Sequence, residues 1–337
     1  MGKSILVTGG FGFLGGYLIE LLVKDRDNAI HVVDNLSTNP IPLDDLLKEI
    51  GTWRNLTYDI CPVEEYCRNL KSKRFDEIYH LASIVGPATV LKYAGDIIKS
   101  VVNNAYAVIS LALSQNAKLV DVSTSEVYGG GGREGYCSEF DSKIIQPETT
   151  IRLEYAIGKI AAETAIINKT KVTSLNACIV RPFNISGPRQ SGKGGFVLPR
   201  FIAMAITNQP LTVFGTGQQV RAFTYVKDMA AGIIKANEFG ARGEAYNLGN
   251  SSNKITILEL AEKVIEITKS KSKLIFVDPK TIYGPLYEEA SDRYPDAGRA
   301  VKELNWHPQC GIDEIISDTF EYMRNCDRRI FDLLSGI

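Results

Sequence analysis

Tyr155 and Lys159 stand four residues apart in EYAIGK, and upstream the apolar run KLVDV gives way to Ser123, Thr124, Ser125 and Glu126. Helix positions i and i+4 share a face, so the phenol and the ammonium are expected to be neighbours. A free phenol titrates near ~10 and keeps its proton at neutral pH. A cation beside it, such as the Lys159 ammonium, lowers that value and turns the phenol into a base. Thr124 adds a hydroxyl for the oxygen that loses its proton, and Glu126 adds a carboxylate. The set suits oxidation of an alcohol. Ser125 narrows it: at its ordinary pKa a serine cannot protonate a leaving hydroxyl, so a reaction needing an acid there is disfavoured.

A YxxxK pair alone is common on surface helices and gains meaning from what precedes it. VTGGFGFLGG sets Gly9, Gly12, Phe13, Leu14 and Gly15 between an apolar run and a helical pattern. Glycines there allow a tight turn and the close approach of backbone to a pyrophosphate, which then sits on the helix N-terminus. Asp34, followed by Asn35, closes the next apolar run about 20 residues on, where an acid accepts the ribose hydroxyls and repels a 2′-phosphate. NAD is therefore expected over NADP. Asp59 and Ile60 end the following run and suit the adenine edge, although an Asp there also caps turns. Leu81 and Ala82, in HLAS, fall where pyrophosphate and ribose pass, and His80 reads as a satisfied strand-end histidine.

These residues need a frame to hold them. Runs such as SILVTG, AIHVVD, FDEIYHLA and KLVDVS alternate with helical stretches near 14–24, 97–114 and 152–169, the pattern of βαβ units on a parallel sheet. After Arg181 the texture changes to RPFNISGPRQSGKGG, a long Pro- and Gly-rich loop. Helices near 196–207, 257–268 and 312–324 and a short strand LTVFG follow. The expected fold class is α/β: a Rossmann-type doubly wound parallel sheet with a smaller mixed α/β domain.

The 337 residues are 45% hydrophobic and 23% charged, with a formal net charge of -1. Without a Lys/Arg block, neither nucleic acid nor an anionic membrane surface is an expected partner. No apolar run reads as long enough to span a bilayer. The six cysteines form no CxxC pair and have no histidine at ligand spacing, so no metal site is expected, and reduced thiols point to the cytoplasm.

Taken in order, TGGFGFLG, Asp34, STSEVYG, Tyr155-x-x-x-Lys159, RPFN and VRAFTYVKD resemble the extended short-chain dehydrogenases that modify nucleotide sugars, over nearly the whole chain. The resemblance implies that Tyr155 takes the proton of the sugar C4 hydroxyl as hydride passes to NAD, with Thr124 on the same oxygen and Lys159 holding Tyr155 and the ribose. It implies that Arg221 and Arg293 grip the diphosphate of a nucleotide-diphosphate sugar beside Asn184, and that backbone near 196–201 meets the base. It also implies an NAD-binding domain over 1–180, rejoined by 224–250, and a sugar-binding domain from 181–223 and 251–337. Thr-Ser-Glu, Arg152 and the RAF block look most like the UDP-glucuronate decarboxylases, whose 4-keto acid loses its C5 carboxylate. Release of the keto sugar by a C4 dehydrogenase and 4-epimerisation stay open. A 4,6-dehydratase is disfavoured by Ser125, and a non-catalytic NAD-binding scaffold by the intact Tyr/Lys pair. The segment IVGPATVLKYAGD departs from the decarboxylases where they shape the sugar pocket. The helices near 97–114 and 152–169 are apolar on more than one face, and in similar proteins such helices pair across a two-fold axis. A homodimer through a helix bundle is expected.

Overall fold

The computed structural model describes residues 2–129, 135–145, 150–287 and 292–336. Seven strands form one parallel sheet: β1 (Ser4–Thr8), β2 (Ala29–Asp34), β3 (Leu56–Ile60), β4 (Glu77–His80), β5 (Lys118–Val122), β6 (Asn176–Pro182) and β7 (Ala245–Leu248). Their order is β3-β2-β1-β4-β5-β6-β7. It reverses direction between β1 and β4, and in such sheets ligands bind in the crevice outside the strand C-termini at that point.

The strands read as continuous apolar runs because both faces are covered. Val7, Val32, Val120 and Val180 pack on one side in the same core as Leu18 of helix α1 (Phe13–Leu22). Leu6, Val33, Ile78, Leu119 and Ile179 pack on the other side with Val108 of α2 (Ile97–Gln115) and Ile166 of α3 (Ile151–Val172). Thr150 caps α3, its hydroxyl accepting from the Leu153 amide at 3.2 Å. Asn116 ends α2 in the left-handed region, with φ +56°. Both lengths are thus set by local signals.

Helix α2 corrects one expectation, since its length and apolar composition would suit a bilayer span. Here its inner face covers the sheet and it packs along α3. The smaller lobe is built from the helices Val197–Ile206, Ile257–Thr268, Ile312–Asn325 and Arg328–Ser335, with Leu211–Phe214 paired in parallel to Leu274–Val277. Between the excursions to that lobe the chain returns to the sheet, where β7 pairs in parallel with β6.

Candidate active site

A cavity of about 750 Å³ runs along the C-terminal ends of the strands and under the smaller lobe. At the turn from β1 into α1, Gly9 has φ +70°, and a Cβ there would lie 2.6 Å from the Ala82 backbone nitrogen. A Cβ on Gly15 would lie 2.3 Å from the Gly9 oxygen. Only glycine permits this approach of turn, helix and neighbouring strand. No acidic side chain occupies the first turn of α1 and no side chain caps it, and Gly12, Phe13, Leu14 and Gly15 at its start line the cavity.

Asp34 is buried at the end of β2. Its Oδ2 accepts from the Phe11 amide at 2.9 Å and Oδ1 from the Leu36 amide at 2.8 Å. Burial raises its pKa, and those amides offset part of the rise. Asp34 and Asn35 line the cavity. A glycine cradle, free helix amides and a fixed carboxylate fit the pyrophosphate and ribose of NAD.

Asp59 and Ile60 are placed elsewhere. Strand alternation sends Asp59 to the side of Thr57, where its Oδ2 pairs with His31 Nε2 at 2.9 Å. Cys61, Pro62 and Val63 line the cavity instead. His80 is a satisfied strand-end histidine: Nδ1 lies 2.6 Å from Thr8 Oγ1, and burial, with Lys159 nearby, pushes its pKa down to about 3.

At the end of β5 a 3₁₀ turn, Ser125–Tyr128, is capped by Thr124, whose hydroxyl accepts from the Glu126 amide at 3.2 Å. Below it, Glu163 accepts from Ser123 Oγ at 2.6 Å and receives the Arg181 guanidinium at 2.9 and 2.7 Å. The turn therefore rests on a buried polar footing. Tyr155, 9% exposed, packs against Val90 of the Pro87–Lys92 helix and Val101 of α2. Burial pushes its pKa up and Glu126 adds to this, while the facing Thr124 and Ser83 side chains oppose it. Lys159, 3% exposed, donates to the Val122 carbonyl at 2.8 Å, and its own pKa is lowered by burial, offset by Asp121 and Glu163. Burial and the Glu126 charge thus keep the Tyr155 phenol above its ordinary value.

Glu126 sits between two arginines. Arg152 donates to Oε1 at 2.5 Å and to Oε2 at 3.0 Å; Arg293 donates to Oε1 at 2.6 Å and to Oε2 at 3.3 Å. Burial alone would raise this carboxyl, but the two guanidiniums hold it well below the usual carboxylate range. Here the structure departs from the expectation for Arg293, whose fork grips Glu126 and the Gly129 carbonyl rather than facing the cavity. Arg221, bridged to Arg293 through the backbone, does line the cavity and lies 3.7 Å from Asp292. Asn184 lines it too, held at φ +33° with its amide donating to the Ala222 carbonyl at 3.3 Å.

The cavity thus gathers Thr124, Ser125, Glu126, Tyr155, Lys159, Asn184 and Arg221. It also includes Arg200, which site reasoning on the sequence missed. Arg200 stacks on Phe214 at 4.2 Å and donates to the Thr212 carbonyl at 3.1 Å. The available signal was one cation inside the apolar stretch VLPRFIAMAI, since a buried arginine needs partners.

A sheet that reverses at its centre, a dinucleotide cradle at that point and a Tyr/Lys pair beside it define an NAD-dependent enzyme of the short-chain dehydrogenase type. Residues 5–249 match the profile of the NAD dependent epimerase/dehydratase family, and the chain belongs to that family. It is 32% identical to a UDP-N-acetyl-alpha-D-glucosaminuronate decarboxylase of Bacillus cytotoxicus over 97% of this chain and 99% of the relative. It is 31% identical to UDP-glucuronic acid decarboxylase 6 of Arabidopsis thaliana over 92% and 85%. In fold it is similar to a dTDP-glucose 4,6-dehydratase of Bacillus anthracis, solved with NAD, at TM-score 0.82 and 23% identity over 98% and 99% of the chains. NAD is its cofactor.

Proposed function

We propose that this enzyme is a decarboxylase of UDP-hexuronates that works through C4 oxidation. The observation that carries the reading is the Thr124-Ser125-Glu126 turn, with Ser125 where a dehydratase needs an acid and Glu126 held ionised by Arg152 and Arg293 beside Tyr155. The decarboxylases found among its relatives support it. NAD, held by Gly9, Gly12, Gly15 and Asp34, supplies the hydride acceptor. Tyr155 takes the C4 hydroxyl proton and Thr124 holds the oxygen. A ketone at C4 is β to the C5 carboxylate, so the C5–C6 electron pair passes into an enolate as carbon dioxide leaves, a proton is then delivered to C5, and return of the hydride and a proton to the C4 carbonyl would restore the hydroxyl, leaving loss of carbon dioxide as the net change. The ionised Glu126, fixed between its arginines, keeps one charge pattern at that end of the turn throughout.

The sugar end is closed by the Pro87–Lys92 helix, where Thr89, Val90, Lys92 and Tyr93 line the cavity. The sequence of this helix departs from the glucuronate-type pocket, and an acetamido uronate is the substrate of one relative. Incubation with UDP-glucuronate and with UDP-N-acetylglucosaminuronate, read by mass spectrometry, decides the reaction and the sugar together. Loss of carbon dioxide from either supports the reading. Loss of water, loss of two hydrogens or unchanged mass assigns dehydratase, dehydrogenase or epimerase chemistry instead. We also propose a homodimer through α2 and α3, on which Ile98 and Tyr106 are exposed; a monomer in sedimentation at micromolar concentration would contradict it.

A further inference from the structure

Strand β5 carries two charged residues, Lys118 at its start and Asp121 next to its end; Asp121 is 1% exposed and its Oδ2 is buried without a hydrogen bond. A buried carboxylate in that state is unfavourable unless a charge or a function compensates it. Asp121 has a defined neighbourhood. In register, Thr8 of β1 pairs with His80 of β4, and His80 with Asp121 of β5. Two residues earlier, Leu6, Ile78 and Leu119 face the core under α2 and α3, so by strand alternation Thr8, His80 and Asp121 face the same way. Across from them α3 presents Lys159 and Glu163, one turn apart.

The charges in this layer can be matched one by one. Glu163 is taken by Arg181 through two hydrogen bonds, with Lys143 3.6 Å away. His80 is neutral, its Nδ1 on Thr8. Cys178 of β6, on the opposite face, is a thiol whose pKa is raised to about 12, and Lys118, at the far end of β5, donates to the Gly240 carbonyl. Helix α2 carries one charged side chain, Lys99, in its first turn. The charged groups of the helix Val226–Phe239, Lys227, Asp228, Lys235 and Glu238, belong to the side of the sheet away from Asp121. Tyr155 is a phenol raised by burial, with Asp121 among its influences; among the described residues, the cation and anion left in this layer are Lys159 and Asp121.

We propose that Asp121 is a positioning residue for Lys159: it is the fixed counter-charge that keeps the Lys159 ammonium protonated and seated on the Val122 carbonyl behind Tyr155. It does not line the cavity; it acts through Lys159, and its charge also raises the Tyr155 phenol directly, the last of the influences on that group. The role rests on the Tyr155/Lys159 chemistry proposed above, but its first test needs no substrate. The interaction runs both ways: burial raises Asp121 to about 6, with the Lys159 charge opposing the rise and Glu163 adding to it.

Lysine labelled with ¹³C at Cε gives the Lys159 titration directly in the intact enzyme, with its signal assigned by its loss in Lys159→Met. In the native protein the Lys159 signal is expected to shift as pH passes through about 6, when Asp121 takes its proton. In Asp121→Asn, which keeps the shape, and in Asp121→Leu, which removes the polarity, the Lys159 midpoint falls by about 1–3 pH units. In both variants the alkaline limb of the pH–rate profile moves down with it. No Lys159 shift near pH 6 in the native protein, or a Lys159 midpoint unchanged in a folded variant, overturns the proposal. So does a lower kcat with both pH limbs in place, which is the mark of a merely structural residue. Because the NMR readout needs no sugar, failure of every uronate to react would sink the decarboxylase reading and leave this result standing.

Discussion

The two ends of the cleft are built by different means. At the cofactor end the surface is mostly backbone: glycines 9, 12 and 15 and the opening amides of α1, with one carboxylate, Asp34, tied to two further amides. Around the turn that follows β5 the support is mostly long side chains from distant parts of the chain. Glu126 follows β5, Arg152 opens α3, and Arg293 comes from the smaller lobe, 167 residues from Glu126 in sequence. A backbone cradle is rigid and takes the group common to a family. A clamp of side chains can be retuned one residue at a time, and it links the sheet to the smaller lobe. Chemistry at one end can therefore change while the dinucleotide site at the other stays as it is.

Variants at the two ends should separate cleanly. Tyr155→Phe is expected to have the largest effect, lowering turnover by about 10²–10⁴-fold through loss of the base while NAD affinity by calorimetry is kept. A matching loss of NAD affinity would mean the two ends are not independent. Gly15→Ala should act the other way. Its methyl meets the Gly9 oxygen at 2.3 Å, and overpacking of this kind costs about 1–3 kcal/mol, so NAD should bind roughly 10- to 100-fold more weakly, together with a lower melting temperature.

Arg293→Met removes a pair of charge-assisted hydrogen bonds, each class of contact being worth about 1.5–3 kcal/mol, and should lower turnover without touching NAD affinity. Arg293→Lys should recover only part of it, because an ammonium cannot reproduce the fork. A full rescue by lysine would show that charge alone matters there.

The smallest effect is in acid. The folded-state pKa of Glu126 lies below its unfolded value of about 4.3, so its contribution to stability is complete above that value and is lost as pH falls toward the folded value. Asp121 has the opposite sign. Its folded value, about 6, lies above the unfolded value of about 3.9, so its contribution is present in acid and is lost as pH rises through 6. Melting curves of Asp121→Asn should match the native enzyme better near pH 4 than at pH 7, where the variant should melt higher.

The same contrast explains what could be read from sequence. The strand, glycine turn and acid of the cofactor end are contiguous, and each carries its own physical reason, so Gly9, Gly15 and Asp34 could be placed before the fold was known. So could the sheet and the helix face shared by Tyr155 and Lys159. The clamp on Glu126 could not, because no local rule says that an arginine 167 residues away will reach a carboxylate rather than a phosphate. Arg293 was therefore assigned to the diphosphate by resemblance. Asp59 illustrates a subtler limit: its position at a strand end was legible, but its partner His31 depends on the register between β2 and β3. Asp121 looked like one more residue of a strand until its burial and its neighbours on α3 were known.

The central claim is best tested with UDP-hexuronates carrying ¹³C at C6, followed by NMR in a sealed tube. The account predicts labelled carbon dioxide and bicarbonate from the native enzyme, with none from Tyr155→Phe. A label that stays in the sugar while C4 is inverted, or while water is lost, would contradict it.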